Sequence, residues 1–190
     1  MLEEPAVKSS RSEGQAKDLL REAFSRQGLE VPSLVALGPD DLPEPYRKLL
    51  VHDSDMTSTL SRHHGDSLIL KRLHLVETEE YVDREVVLCT QKIGSPVEYG
   101  VIRIRLTPFS PEAQAAIRKA VIPLGQILDD FNVSYQSQPS EYFRISESAY
   151  LDQKLQDSTG VERFGRINSL RSDGGEELAN VLEILPRPKI

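Results

Sequence analysis

The chain carries a single cysteine, Cys89, in 190 residues. One thiol excludes an internal disulfide and a cysteine-rich zinc site, and the place of Cys89 in a β-rich run makes it a buried structural thiol. Tryptophan is absent, and no apolar run approaches transmembrane length. The opening MLEEPAVKSS lacks the basic start and apolar core of a signal peptide, so a soluble cytoplasmic protein with no membrane partner is expected. Basic charge is in deficit too, with 23 Lys plus Arg against 30 Asp plus Glu and a net charge of −7. A general nucleic-acid binder normally shows a basic surface, so no nucleic-acid partner is expected. A pocket is another matter, because it needs only a few arginines and no net excess.

Familiar catalytic motifs are also missing. There is no Gly-x-Gly-x-x-Gly and no Walker-type loop to cradle phosphate. The four histidines are His52, His63, His64 and His74. Adjacent His63 and His64 point to different sides of a helix, and no HExxH occurs, so no metal is expected. There is no Gly-x-Ser-x-Gly elbow, and Cys89 has no evident histidine partner. Acid/base chemistry by carboxylates and arginines remains, or binding without chemistry.

What is present is enough for one core and short for two: 190 residues, 38% hydrophobic, with 12 prolines and 11 glycines. Residues 1–13 read as a disordered tail, and 14–190 as a single domain. Leu19, Leu20, Ala23 and Phe24 fall at helical spacing before Gly28. A Pro- and Gly-rich loop leads to a short helix through Tyr46, Leu49 and Leu50. Asp53-Ser54-Asp55 offers caps for a helix from Met56 to His64, closed by Gly65. Ser67 to Thr78 reads as a strand. Ser110-Pro111-Glu112 opens a further helix, which Pro123-Leu124-Gly125 breaks. The polar segment 132–160 holds a short strand at Tyr142–Ile145 and a short helix at Ser148–Leu155. Two last β-runs, Arg163–Arg171 and Glu177–Leu185, flank the turn signal Ser172-Asp173-Gly174-Gly175. This order predicts an α+β domain, an antiparallel sheet with helices packed to one side.

The centre of the pattern is Tyr81 to Leu106, two β-rich runs around Gly94-Ser95-Pro96, which predict a long antiparallel hairpin. Alternation puts Arg84 on one face with Val82, Val86 and Leu88. A guanidinium there is costly unless an anion meets it; the plainer alternatives are an internal ion pair or an edge strand where the side chain snorkels to water. In the last run, Glu183 shares a face with Ala179, Val181 and Leu185. An apolar face raises a carboxyl toward the range useful for proton transfer. Arg84 and Glu183 could pair with each other or bracket a small anion, and the pattern leaves both open.

Short patterns through the chain resemble the chorismate lyase family in order and spacing, including its divergent bacterial branch. They are Asp55-Met56-Thr57 with Leu60 and Gly65, Arg84-Glu85-Val86-Val87-Leu88-Cys89, Pro123-Leu124-Gly125, Gly165-Arg166, and Glu183-Ile184-Leu185-Pro186. The resemblance implies an antiparallel sheet over a buried ligand. It also implies a cofactor-free lyase that removes pyruvate from chorismate to leave 4-hydroxybenzoate, or the 3-hydroxy isomer, in a ubiquinone-type pathway. Arg84 would grip the ring carboxylate beside backbone amides near Met56, Leu124 and Gly125. Glu183 would move the proton, with Arg84 as its catalytic companion. Arg166 would answer the second carboxylate, with Arg144 and Arg163 as rivals. The partners implied are chorismate and the aromatic product, in a monomer or weak oligomer. The same fold also serves as the effector domain of bacterial transcription regulators, so the alternative is a non-catalytic protein that binds an aromatic carboxylate.

Overall fold

Residues 12–188 are described by the structure, a computed structural model. In chain order, α1 (Ser12–Ser25) precedes the short strand β1 (Leu34–Leu37), a 3-10 turn at Pro39–Asp41, α2 (Tyr46–Leu50) and α3 (Met56–His64). Three long strands follow: β2 (Leu68–Glu77), β3 (Tyr81–Thr90) and β4 (Pro96–Arg105). Then come α4 (Pro111–Lys119), α5 (Leu124–Asp130), β5 (Tyr135–Ile145), α6 (Ala149–Leu155), β6 (Arg163–Ser172) and β7 (Glu177–Leu185). The expected tail, 1–13, lies outside the described residues but for Ser12 and Glu13, which open α1.

All seven strands join one antiparallel sheet in the order β1-β5-β6-β7-β4-β3-β2. The single α+β domain built on an antiparallel sheet is therefore the architecture the chain adopts. β3, β4 and β7 lie inside the sheet, and helices cover both faces there, so nearly every residue of β3 is buried. The helices divide by the parity of the strand residues they touch. Val87, Cys89, Tyr99, Val101, Leu182 and Ile184 pack with α1 and α6. Residues of opposite parity, among them Val82, Ile102, Ile104 and Ala179, pack with α4 and α5. Leu88 and Leu185 continue that second face under α2 and α3.

Local chemistry sets the helix ends near the second face. The Asp55 carboxylate accepts the Ser58 N–H at 2.8 Å and opens α3, and Gly65 at φ 62° closes it. Ser110 caps α4 through the Ala113 N–H, with Pro111 in its first turn.

Three elements differ from expectation. The helix opened at Ser110 ends at Lys119, before Pro123 is reached, and Pro123-Leu124-Gly125 starts the next one: Pro123 is the N-cap of α5 and Leu124 its first residue. Proline suits a helix start, where its missing N–H is not needed. β5 begins at Tyr135, seven residues earlier than predicted, because its outer half alternates partly buried and exposed polar residues with little apolar signal. Pro139 is accommodated where the β5–β6 register shifts, a place where a missing donor is tolerated. β1 pairs with β5 at the sheet edge from within the loop region.

Candidate ligand-binding site

Between the second face and the starts of α3 and α5 lies a cavity of about 80 Å³. A single water needs only ~10–15 Å³ by the same measure. Leu70, Val86, Leu88, Ile102, Leu170 and Val181 supply apolar wall, and Arg84, Glu98, Tyr135, Asn168 and Glu183 supply polar groups. Met56, Leu124 and Gly125, expected from sequence to frame an anion, are in that wall.

β3 places Arg84 under the end of α4, where it is 1% exposed. Its Nη1 donates to the Ile122 carbonyl at 3.1 Å and its Nη2 to the Ile117 carbonyl. Ile117 lies in the last turn of α4, whose carbonyl end attracts a cation. The Nε of Arg84 has no hydrogen-bond partner, and among the described residues no carboxylate forms an ion pair with this guanidinium. Burial, with a smaller push from the Arg72 charge, pulls the Arg84 guanidinium down to about 10. The edge-strand and internal-pair alternatives are thereby both set aside: β3 is an interior strand, and Glu183 is engaged elsewhere.

Its partner is Arg166. The two residues are opposite each other in the β6–β7 register, and Arg166 Nε donates to the Glu183 carboxylate. Arg166 is completely buried, and its Nη1 donates to the carbonyls of Leu50 at 2.9 Å and His52 at 2.8 Å. These bonds tie the α2–α3 connection to the sheet, so Arg166 fixes the wall that carries Met56. It does not line the cavity. Gly165 permits this proximity of β6 and β7: a Cβ there would fall 2.3 Å from the Glu183 carbonyl oxygen and 2.7 Å from the Phe143 ring.

The carboxyl that sequence reasoning missed is Glu98. It lines the cavity, is 4% exposed, and its Oε2 has no hydrogen-bond partner. Burial pushes it well above the ordinary carboxylate range, the Glu183 and Asp55 charges add to the push, and Arg166 opposes it. Phase along β4 was the available signal, since Glu98 keeps step with Gly100, Ile102 and Ile104. Asn168 exchanges hydrogen bonds with Ser137 and holds the cavity's far wall.

Two rival arginines are outside the cavity. Arg144 lies near the sheet edge, opposite Val35, and pairs with Glu162 at 2.9 Å with 42% of its side chain exposed. Arg163 is buried on the other face, paired with Asp152 and with Asp157 at 2.9 Å. Among the described residues, no group of three or more His, Cys, Asp or Glu is placed to hold a metal ion. No described helix is long and apolar enough to cross a membrane.

No family model matches the chain, and no curated protein matches its sequence. Solved structures do match in fold. PhnF from Mycobacterium smegmatis aligns over 88% of this chain and 94% of its own, with TM-score 0.57 and 9% identity. The effector domain of PhnF aligns over 73% and 91%, with TM-score 0.55 and 10% identity. A possible transcriptional regulator, YydK from Bacillus subtilis, aligns over 63% of this chain but 59% of its own, with TM-score 0.50 and 9% identity. These findings overturn the chorismate lyase assignment, and with it the lyase activity and the ubiquinone-type pathway. Among these structures alike in fold, one is described as a possible transcriptional regulator and one as an effector domain. The expectation of no nucleic-acid partner is overturned on the same ground, because a possible transcriptional regulator shares the fold.

Proposed function

We propose that this chain is a non-catalytic ligand-binding domain for a small carboxylate, with a role as the effector-sensing part of a regulator. One observation carries this: Arg84 is a buried cation with no carboxylate partner and an unmatched Nε, set in the wall of a cavity. A buried charge left so is costly until an anion reaches it. A carboxylate suits the planar guanidinium, and the surrounding Leu70, Val86 and Ile102 suit an apolar body such as an aromatic ring. Likeness in fold to the effector domain of PhnF supports the sensing role.

Isothermal titration calorimetry with benzoate and benzamide tests it. The two have the same ring and nearly the same shape but differ in charge. Benzoate should bind at least about tenfold more tightly, as a charge-assisted bond worth ~1.5–3 kcal/mol implies. Equal affinity for the amide would remove the ground for an anion site at Arg84.

A further inference from the structure

The cavity has a second unmatched atom. Besides Arg84 Nε, the Glu98 Oε2 is buried without a hydrogen-bond partner in the same wall. Buried polar groups are almost always satisfied, so two orphans on residues that line one cavity point to one molecule that meets both. Arg84 and Leu88 are on the same face of β3, and Glu98 lies opposite Leu88. At ~3.3 Å per residue the two positions stand roughly 13 Å apart at the backbone, and both residues line the cavity. The space left suits one ring or a short chain. Gly100 helps to keep it open, because a Cβ there would come within 3.2 Å of Glu98 Oε1 and of Val86.

We infer that Glu98 is a specificity residue, hydrogen-bonding through Oε2 to a hydroxyl carried by the ligand at the end opposite its carboxylate. The inference rests on the carboxylate pocket proposed above and adds the chemistry of the ligand's other end. The charges around Glu98 favour a neutral partner. Glu183 on β7 and Asp55 before α3 face it with negative charge, and Arg166 on β6 offsets part of that. Arg84 on β3 and Tyr135 on β5 line the same cavity. A carboxyl that keeps its proton in this setting both donates and accepts, as a hydroxyl does. An ammonium would instead require Glu98 to ionise in a dry site.

The test compares benzoate, 4-hydroxybenzoate and 4-(aminomethyl)benzoate by calorimetry on the wild-type chain, Glu98→Gln and Glu98→Leu. Glutamine is the neutral isostere and leucine removes the hydrogen bond. The wild type should prefer 4-hydroxybenzoate over benzoate by about tenfold, the size of one well-placed bond. Glu98→Gln should keep the preference, and Glu98→Leu should abolish it while still binding benzoate. Benzoate binding with no hydroxyl preference, or a preference that survives Glu98→Leu, overturns this inference and leaves the carboxylate pocket standing. A preference for 4-(aminomethyl)benzoate that Glu98→Gln abolishes also overturns it, by assigning Glu98 to a cation. No binding of any of the three counts against the carboxylate pocket itself and removes this inference with it.

Discussion

Arg166 and Glu183 face each other across β6 and β7 and pair there, which leaves Arg84, on β3, without a carboxylate. Two buried arginines on one sheet face therefore have opposite standing. One is a satisfied strut that also holds the Leu50 and His52 carbonyls; the other meets only carbonyls at the cavity wall.

That contrast predicts an inverted order of stability effects. Glu183→Gln strands the Arg166 charge in the core and should cost about 3–5 kcal/mol. Arg84→Met removes a costly buried charge, a gain, together with its two carbonyl bonds, a loss, and the two offset, so the cost should stay within about 1–2 kcal/mol. Urea unfolding of both variants measures this. A larger loss for Arg84→Met than for Glu183→Gln would mean that Arg84 is the structural member of the two.

Glu98 makes stability depend on pH. Its carboxyl is raised above the ordinary range in the folded chain, so the native state keeps its proton after the unfolded chain has lost it. The favourable contribution is complete below the ordinary carboxylate range and is lost as pH rises through the folded value. Glu98→Gln should thus be more stable than the wild type at neutral and alkaline pH, with the advantage shrinking toward pH 4. Melting curves across that range would contradict this if the difference stayed constant.

Gly165→Ala forces a methyl against the Glu183 carbonyl and the Phe143 ring. Overpacking of this kind costs typically about 1–3 kcal/mol and sometimes more, and the backbone contact puts this site at the upper end. Gly174→Ala meets nothing closer than the Ser172 hydroxyl at 3.7 Å and should be near neutral. Equal melting temperatures for the two variants would show that β6 and β7 are free to separate.

Ligand binding should be felt beyond the cavity. Arg84 holds the Ile117 and Ile122 carbonyls, so an anion that draws on the guanidinium alters the α4–α5 connection. Hydrogen exchange with and without benzoate should change over residues 117–125 and leave α6, on the opposite face, unaffected. A uniform change over both helices would point to general stabilisation and not to a local coupling.

Much of the frame was legible because strand and cap signals are local. The 81–106 hairpin, the Asp55 cap of α3 and the last strand carry strong turn, capping or alternation patterns. β5 was half missed because its outer part is a polar strand near the edge. Arg84 was legible as a charge on an apolar face, since period two fixes which residues share it. Its lack of a counter-ion was not, because pairing depends on which strands are neighbours. Topology decided that point: β7 lies between β6 and β4, so Arg166 reaches Glu183 first. Glu98 stayed hidden because the reading of the hairpin turned on its first strand.

The most direct test of the central claim is the affinity of benzoate for the wild-type chain and for Arg84→Met, measured by calorimetry at one pH and salt concentration. A carboxylate site at Arg84 predicts a loss of at least about tenfold, and about a hundredfold if both carboxylate oxygens are held, with the melting temperature little changed. Unchanged affinity in a folded Arg84→Met variant would contradict the account and place any anion site elsewhere on the chain.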